Sequence, residues 1–358
     1  MQKTFIIAEA GVNHNGSLEM AKELVYRAAE AGADAVKFQT FKAEKIISKR
    51  AGKAEYQKKT TDKEESQLEM VKKLEMDRAM HEELVAYCKK CQIQFLSTPF
   101  DLDSVDLLAN EIKVSQLKIP SGEITNAPLL YKAAQTGLPI LLSTGMSTLG
   151  DIEEALAVLA FGYCQSNAAP SKSSFFQAFY SEEGQHHLQQ KVTLLHCTTE
   201  YPTPFKDVNL RVIDTLSTAF GLPVGLSDHT EGIAIPIAAV ARGAQVIEKH
   251  FTLDRNLPGP DHRASIEPAE LIQMVTSIRQ VEQAIGQAMK LPVPSERGNI
   301  AVVRKSLVAA TSIQKGERFT EKNMTAKRPG TGVSPMLYWD YIGKVASQDY
   351  DEDDVIQP

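Results

Sequence analysis

Two hydrophobic rhythms alternate along this chain. Short apolar runs, read as strands, are separated by stretches whose apolar positions recur every three or four residues, the spacing of a helix with one buried face. Eight strand candidates precede Leu291: Phe5–Glu9, Ala35–Gln39, Gln94–Pro99, Gln116–Ser121, Pro139–Gly145, Val192–Thr199, Pro223–His229 and Gln245–Phe251. Between them the spacing predicts helices over Leu18–Ala31, His81–Cys91, Asp103–Glu111, Pro128–Thr136 and Ile152–Ala160. Gly32, Gly137, Gly162, Gly221 and Gly243 follow where helices should stop. Eight strand–helix units close into a (β/α)8 TIM barrel, an α/β fold. The alternative, an open doubly wound sheet, would use fewer strands around a switch point, and no G-x-G-x-x-G follows the first strand.

The rhythm breaks between Gly162 and Gln190, a segment rich in Ser, Gln, Ala and Phe that reads as an insertion. Its Phe175, Phe176, Phe179 and Tyr180 are expected on the barrel exterior or at a subunit contact, and His186 and His187 on the surface. After the last barrel helix, the Pro, Ser and Gly content of Leu291–Gly298 marks a linker. The expected organisation is a barrel over 1–288, a linker over 289–298 and a small domain over 299–358. The small domain reads as short strands and turns ending in the acidic stretch Asp349–Asp354.

Length and composition agree with this layout. A barrel takes about 250 residues, and the 358 residues here leave room for a second module. With 43% apolar and 23% charged residues the chain is globular, and 39 Lys and Arg against 45 Asp and Glu argue against a nucleic-acid groove. The start of the chain, Met1–Ile7, lacks the long apolar region of a signal peptide, and no segment reaches the roughly 18 apolar residues of a membrane span. A cytoplasmic protein is expected. Four cysteines (Cys88, Cys91, Cys164, Cys197) are too few for a disulfide framework, and the C-x-x-C at Cys88 and Cys91 has no second pair to make a zinc site.

In a barrel of this kind the catalytic groups stand where strands end and the following loops begin. Here every predicted strand ends in polar residues. The first ends at Glu9, before Gly11-Val12-Asn13-His14-Asn15-Gly16; the second at Lys37-Phe38-Gln39; the third at Ser97-Thr98-Pro99. The fourth supplies Lys118 and then Ser121-Gly122-Glu123, the fifth Ser143-Thr144-Gly145, the sixth His196-Cys197-Thr198-Thr199. The seventh closes with Ser227-Asp228-His229 and the eighth with Glu248-Lys249-His250. One polar end is ordinary, whereas eight in register point to a site.

Each residue type suggests its chemistry. Lys37 and Lys118 alternate with apolar neighbours and should point into the barrel mouth, where two buried ammonium groups call for anions such as a phosphate and a carboxylate. Ser121, Ser143 and Ser227 add neutral donors suited to phosphate oxygens. His229 and His250, at the ends of neighbouring strands, could share one metal ion, and imidazole suits Mn, Fe, Co or Zn better than Mg or Ca. Two protein ligands leave open positions for water and substrate. Glu9 is the general acid/base candidate; a plain salt bridge to Lys37 is the competing reading. Two other readings compete with a metal-assisted enzyme. In a Schiff-base aldolase Lys37 or Lys118 would be the nucleophile, and in a non-catalytic carbohydrate-binding protein the barrel would be reused without its chemistry.

Ordered motifs across both domains carry a family resemblance. They include Ala8-Glu9-Ala10-Gly11-Val12-Asn13-His14-Asn15-Gly16, Val36-Lys37-Phe38-Gln39-Thr40, Lys118-Ile119-Pro120-Ser121-Gly122-Glu123, Ser143-Thr144-Gly145-Met146, His196-Cys197-Thr198-Thr199-Glu200-Tyr201-Pro202, Gly225-Leu226-Ser227-Asp228-His229-Thr230, Glu248-Lys249-His250-Phe251, Gly259-Pro260-Asp261-His262 and Lys327-Arg328-Pro329-Gly330. The chain resembles the N-acetylneuraminate (sialic acid) synthases and their legionaminate and pseudaminate relatives. The resemblance implies a small C-terminal antifreeze-like (SAF) domain and condensation of phosphoenolpyruvate with an N-acetylated amino sugar. It implies that Lys37, Thr98, Lys118, Ser121, Ser143 and Ser227 hold phosphoenolpyruvate, and that His229 and His250 hold a divalent metal, usually Mn2+. Gln39, Glu123, Tyr201 and Asp261 would face the acceptor. The implied assembly is a domain-swapped homodimer in which Arg328 reaches the partner's barrel. N-acetylmannosamine is the acceptor expected first, giving sialic acid, with a 2,4-diacetamido sugar leading to N,N'-diacetyllegionaminate as the alternative.

Overall fold

Parallel pairing around a ring turns the eight predicted strands into a barrel. The computed structural model describes residues 3–48, 66–165 and 168–358; Met1, Gln2 and residues 166–167 of the expected insertion lie outside the described residues. The strands are β1 (Phe5–Gly11), β2 (Ala35–Thr40), β3 (Gln94–Pro99), β4 (Leu117–Ile119), β5 (Ile140–Ser143), β6 (Val192–Cys197), β7 (Val224–Asp228) and β8 (Val246–His250). Their order is β3-β2-β1-β8-β7-β6-β5-β4. Because β1 pairs with both β2 and β8, the first and last strands are joined, as a barrel requires and an open doubly wound sheet does not. The short β4 neighbours β3 without a hydrogen-bonded ladder.

Register sets the interior. Glu9 stands opposite Lys37 on one side and His250 on the other, and Ser227 stands opposite Glu248. Successive side chains on a strand alternate in direction, so residues two apart share the barrel interior. Ile7, Ala35, Leu96, Leu141, Leu195 and Val246 form an apolar plug. Two positions further along lie Glu9, Lys37, Thr98, Ser143, Cys197 and Glu248, all buried.

Outside the strands, helices bury their apolar stripes. Leu18–Glu30 starts where the Ser17 side chain accepts from Met20 N, and buries Ala21, Leu24, Val25 and Ala28. Burying one such Leu contributes about 1.5–3 kcal/mol. Among the described residues no helix is long and apolar enough to cross a membrane.

Several local expectations change. The helix expected over Asp103–Glu111 is a short α-helix, Leu102–Asp106, running into a wider π-type turn at Leu107–Ile112 that ends with Lys113 at φ 61°. Gly162 does not stop its helix, which runs over Leu149–Tyr163. It permits close packing instead: a Cβ there would lie 2.6 Å from Ala134 Cβ. That helix is buried on nearly all sides because the inserted segment folds into two further helices, Lys172–Phe179 and Glu182–Lys191, that cover it. Phe175 packs on Phe161, ring centroids 5.2 Å apart, while Tyr180 stays exposed.

The chain divides into two compact units, Met1–Gly286 and Gln287–Pro358. Residues 294–298, expected within the linker, begin the helix Pro294–Val303: Pro294 occupies the first turn, where its missing N–H has no helical partner to lose. The second unit has its own core, including Leu307, Ile313, Phe319, Met324, Val333 and Ile356. In it β9 (Ser306–Ala309) pairs antiparallel with β10 (Met324–Lys327).

Candidate active site

The C-terminal ends of the barrel strands surround a cavity of about 330 Å³. Its floor is a buried charge cluster. Lys37 Nζ lies 2.6 Å from Glu9 Oε2 and 3.5 Å from Glu248 Oε2, and donates to Thr98 Oγ1 at 2.9 Å. Lys118 Nζ lies 3.2 Å from Glu248 Oε1, which also accepts from Ser227 Oγ at 2.8 Å. Gln39 Nε2 donates to Glu9 Oε1 at 3.4 Å.

Burial and charge separate the two carboxylates. Burial raises Glu9 to about 7, with Lys37 opposing and Glu248 reinforcing the rise. Burial acts the same way on Glu248, but Lys118, Lys37 and the Ser227 hydroxyl overcome it and hold this carboxyl well below the usual carboxylate range. Burial pulls Lys37 down, yet Glu248 and Glu9 outweigh it and keep the ammonium firmly charged. Two ammonium groups therefore face one firm carboxylate and a second carboxyl raised to about 7, a floor with room for the charge of an anionic ligand. Ser143 Oγ, buried beside this floor, has no hydrogen-bond partner among the described residues. The salt bridge to Lys37 is present, on the same carboxyl that burial raises to about 7.

The two histidines stand together. The rings of His229 and His250 are 5.2 Å apart, and the Tyr201 ring lies 4.2 Å from His229 and 5.6 Å from His250. Burial lowers the His229 ring, but Cys197 and the Thr198 carbonyl, 2.7 Å from Nδ1, outweigh it and raise the ring above its ordinary value; in the neutral form Nδ1–H donates to that carbonyl and leaves Nε2 with its lone pair. His250 Nδ1 is buried without a hydrogen-bond partner, and burial, then His229 and Lys37, hold the ring well below its ordinary value, in the neutral form a metal requires. Asp261 Oδ2 lies 3.9 Å from that nitrogen, and burial raises this carboxyl to about 6. The donor set fits a divalent ion held by two imidazoles. Among the described residues no group of three or more His, Cys, Asp or Glu side chains is arranged to hold a metal, so water and substrate would complete the coordination.

Of the residues singled out in the sequence, twelve line this cavity: Glu9, Lys37, Gln39, Thr98, Lys118 and Ser121, with Ser143, Tyr201, Ser227, His229, His250 and Asp261. Two do not. Glu123 is the last residue of a 3-10 turn, Ser121–Glu123, and accepts from Asn126 Nδ2 at 2.6 Å; with three residues per turn it no longer shares the face of Ser121. Arg328 belongs to the second unit, where its Nε donates to Val303 O at 3.0 Å. Sequence reasoning named Glu248 at the end of the eighth strand but gave it no role, although it sits two residues before His250 and so shares its inward face. Lys249 between them points the other way, buried against Asp228 at 2.6 Å. It also passed over an apolar wall of the cavity made by Val12, Phe41 and Leu74 with Ile46, Val71 and Phe100.

Comparison with known proteins fits this geometry. The NeuB family profile matches residues 24–290, and the SAF domain profile matches 304–358. This chain belongs to the NeuB family. It is 55% identical to an N,N'-diacetyllegionaminic acid synthase of Campylobacter jejuni over the full length of both chains, and 44% identical to one of Legionella pneumophila over 95% of this chain and 89% of that protein. Among solved structures, a sialic acid synthetase of Leptospira borgpetersenii crystallised with citrate matches with a TM-score of 0.68 and 35% identity, over 84% of this chain and 90% of that one. As a NeuB family sugar-acid synthase, the protein is an enzyme that condenses phosphoenolpyruvate with a sugar.

Proposed function

We propose that this NeuB enzyme is an N,N'-diacetyllegionaminic acid synthase, joining phosphoenolpyruvate to an open-chain 2,4-diacetamido sugar. The observation that carries the choice of acceptor is the apolar wall of Val12, Phe41, Leu74, Ile46, Val71 and Phe100 bounding a cavity whose floor is charged. A second N-acetyl group offers such a wall a methyl, whereas N-acetylmannosamine would present hydroxyls that lose water without gaining hydrogen bonds. The full-length identity to the Campylobacter jejuni N,N'-diacetyllegionaminic acid synthase supports the same choice.

In the reaction the enol electron pair of phosphoenolpyruvate forms a bond from its methylene carbon to the aldehyde carbon, and the aldehyde oxygen gains a proton. Water adds to the cationic enol-ether carbon and loses one proton, balancing that gained by the aldehyde oxygen; its second proton passes to the phosphate as that carbon's bond to the phosphate oxygen breaks, giving the ketone and inorganic phosphate. Lys37 and Lys118, with Thr98, Ser121, Ser143 and Ser227, hold the anionic donor over the floor. Gln39, Tyr201 and Asp261 face the acceptor. Glu9, midway between its two forms near pH 7, takes the proton from water. A divalent metal held by His229 and His250, manganese on the family resemblance, would supply Lewis-acid polarisation of the aldehyde oxygen. The reading includes a cytoplasmic homodimer, checked by its mass in solution, in which Arg328 reaches the partner's barrel.

The test is phosphate release from phosphoenolpyruvate with each sugar, with EDTA and with added manganese. The expected result is metal-dependent release and a kcat/KM about tenfold or more higher for the diacetamido sugar, the scale of one methyl in an apolar pocket. A preference for N-acetylmannosamine would overturn the acceptor assignment and make the enzyme a sialic acid synthase. Activity indifferent to EDTA would overturn the metal, and borohydride trapping with pyruvate would point to a lysine Schiff base.

A further inference from the structure

The segment Val12-Asn13-His14-Asn15-Gly16 follows β1 and gives only Val12 to the cavity, yet Asn13 and His14 are almost wholly buried. The side-chain N–H groups of the two asparagines all donate to one place, the loop that leaves β8. Asn13 Nδ2 donates to Phe251 O and to Ser265 Oγ, each at 2.9 Å, so a single side chain ties the start of that loop to its end. Ser265 Oγ in turn donates to Asp261 O at 2.7 Å. Asn15 Nδ2 donates to Pro258 O at 2.8 Å, and Asn15 Oδ1 lies 3.3 Å from His262 Nε2. His262 Nδ1 lies 2.6 Å from Thr252 Oγ1. The ring is buried and neutral, so one tautomer satisfies both contacts: Nε2–H donates to Asn15 and Nδ1 accepts from Thr252. Gly259 is clamped in between. At φ +149° it has no room for a side chain, since a Cβ would lie 2.7 Å from His262 Cδ2 and 2.9 Å from Asn15 Oδ1.

We infer that Asn13 and Asn15 are positioning residues that latch the 252–265 loop to the end of β1 and thereby set the Asp261 carboxylate in the cavity beside His250. The inference rests on the assignment of Asp261 to the acceptor side made above. Arg255 braces the loop against its own far end, its Nε donating to Ser265 O at 2.9 Å and its guanidinium pairing with Glu270; the asparagines add its ties to the segment after β1, and loss of those ties would misplace Asp261 in the bound geometry that the reaction needs. Asn13 pins the ends and Asn15 the middle, on either side of Asp261. This gives the Asn-x-Asn spacing a function that neither residue performs by touching substrate.

Asn15, less buried than Asn13, is the variant to make, because Asn13→Ala removes two buried hydrogen bonds and risks the fold. In Asn15→Ala, hydrogen exchange followed by mass spectrometry should rise in the 252–265 segment while the other barrel strands keep their protection; unchanged exchange there overturns the latch. With whichever of the two sugars the wild type turns over, Asn15→Ala should raise KM for the sugar about tenfold, the scale of two lost hydrogen bonds, and leave KM for phosphoenolpyruvate within about twofold. Asp261→Asn should raise the same KM. Combining the two should add less than about twofold, because both act through one carboxylate. Factors that multiply, or parallel rises in both KM values, would reduce the latch to general scaffolding and overturn the inference. If Asp261→Asn is impaired and Asn15→Ala is not, this inference alone fails; if Asp261→Asn is itself neutral, the acceptor-side assignment fails and takes the inference with it.

Discussion

The barrel interior holds two layers two residues apart on the same strands, and they have opposite chemistry. Ile7, Ala35, Leu96, Leu141, Leu195 and Val246 form a plug with no polar side chain. The next inward step replaces them with Glu9, Lys37, Thr98, Ser143, Cys197 and Glu248. Both layers are buried, so burial does not distinguish a core from a site. The difference lies in what each layer needs: the plug is satisfied by contact alone, whereas the polar layer satisfies its charges by pairing them and leaves Ser143 Oγ without a hydrogen-bond partner among the described residues. Open donors and acceptors in an otherwise paired cluster are where a ligand fits.

Substitutions in the two layers should therefore separate cleanly. Lys37→Met strips an ammonium from the polar layer, leaving Glu9 without its ion partner and Glu248 with Lys118 alone; kcat/KM for phosphoenolpyruvate should fall by about a thousandfold, within the roughly 2–5 kcal/mol lost when one member of a buried charge pair is removed. Steady-state kinetics with the donor varied would check it, and an unchanged value would dissolve the contrast between the layers.

Glu9→Gln comes next, with kcat expected to fall by about a hundredfold or more. In wild type, kcat/KM should rise with pH through an ionisation near 7, as Glu9 becomes the base, and that step should vanish in the variant. Stability gives a second readout with a definite sign. A carboxyl raised from 4.5 to about 7 in the folded chain contributes stability below pH 4.5 that is lost as pH rises through 7. Thermal melts at pH 5 and pH 8 should therefore differ more for wild type than for Glu9→Gln.

Leu195→Ala in the plug should act the other way round. Removing a fully buried leucine lowers stability by about 2–5 kcal/mol, read by denaturant unfolding, while both KM values stay within about twofold. The smallest effect sharpens the comparison at the cavity's side. Met70→Ser, beside the apolar wall, should cut the preference for the diacetamido sugar by about tenfold without moving KM for phosphoenolpyruvate.

Much of this was legible in the chain. Alternation along short apolar runs placed all eight strands and turned Lys37 and Lys118 inward, with His250 ending β8 and His229 just beyond β7, because the direction of a strand side chain depends only on parity. Parity also marks Glu248 as inward. It fails at Glu123, beyond the end of β4, where the backbone leaves the strand and a 3-10 turn takes over.

What the sequence by itself determined is the set of elements and the inward face of each, since both follow from local periodicity. Tertiary structure alone decided who meets whom. The apolar wall draws Val12, Phe41, Leu74 and Phe100 from separate loops, and Asn13 bonds to Ser265, more than 250 residues on. The pKa of Glu9 depends first on its burial and then on Lys37 and Glu248, carried by the strands on either side of its own. Those effects depend on distance and on excluded water, and both appear only when the ring of strands closes.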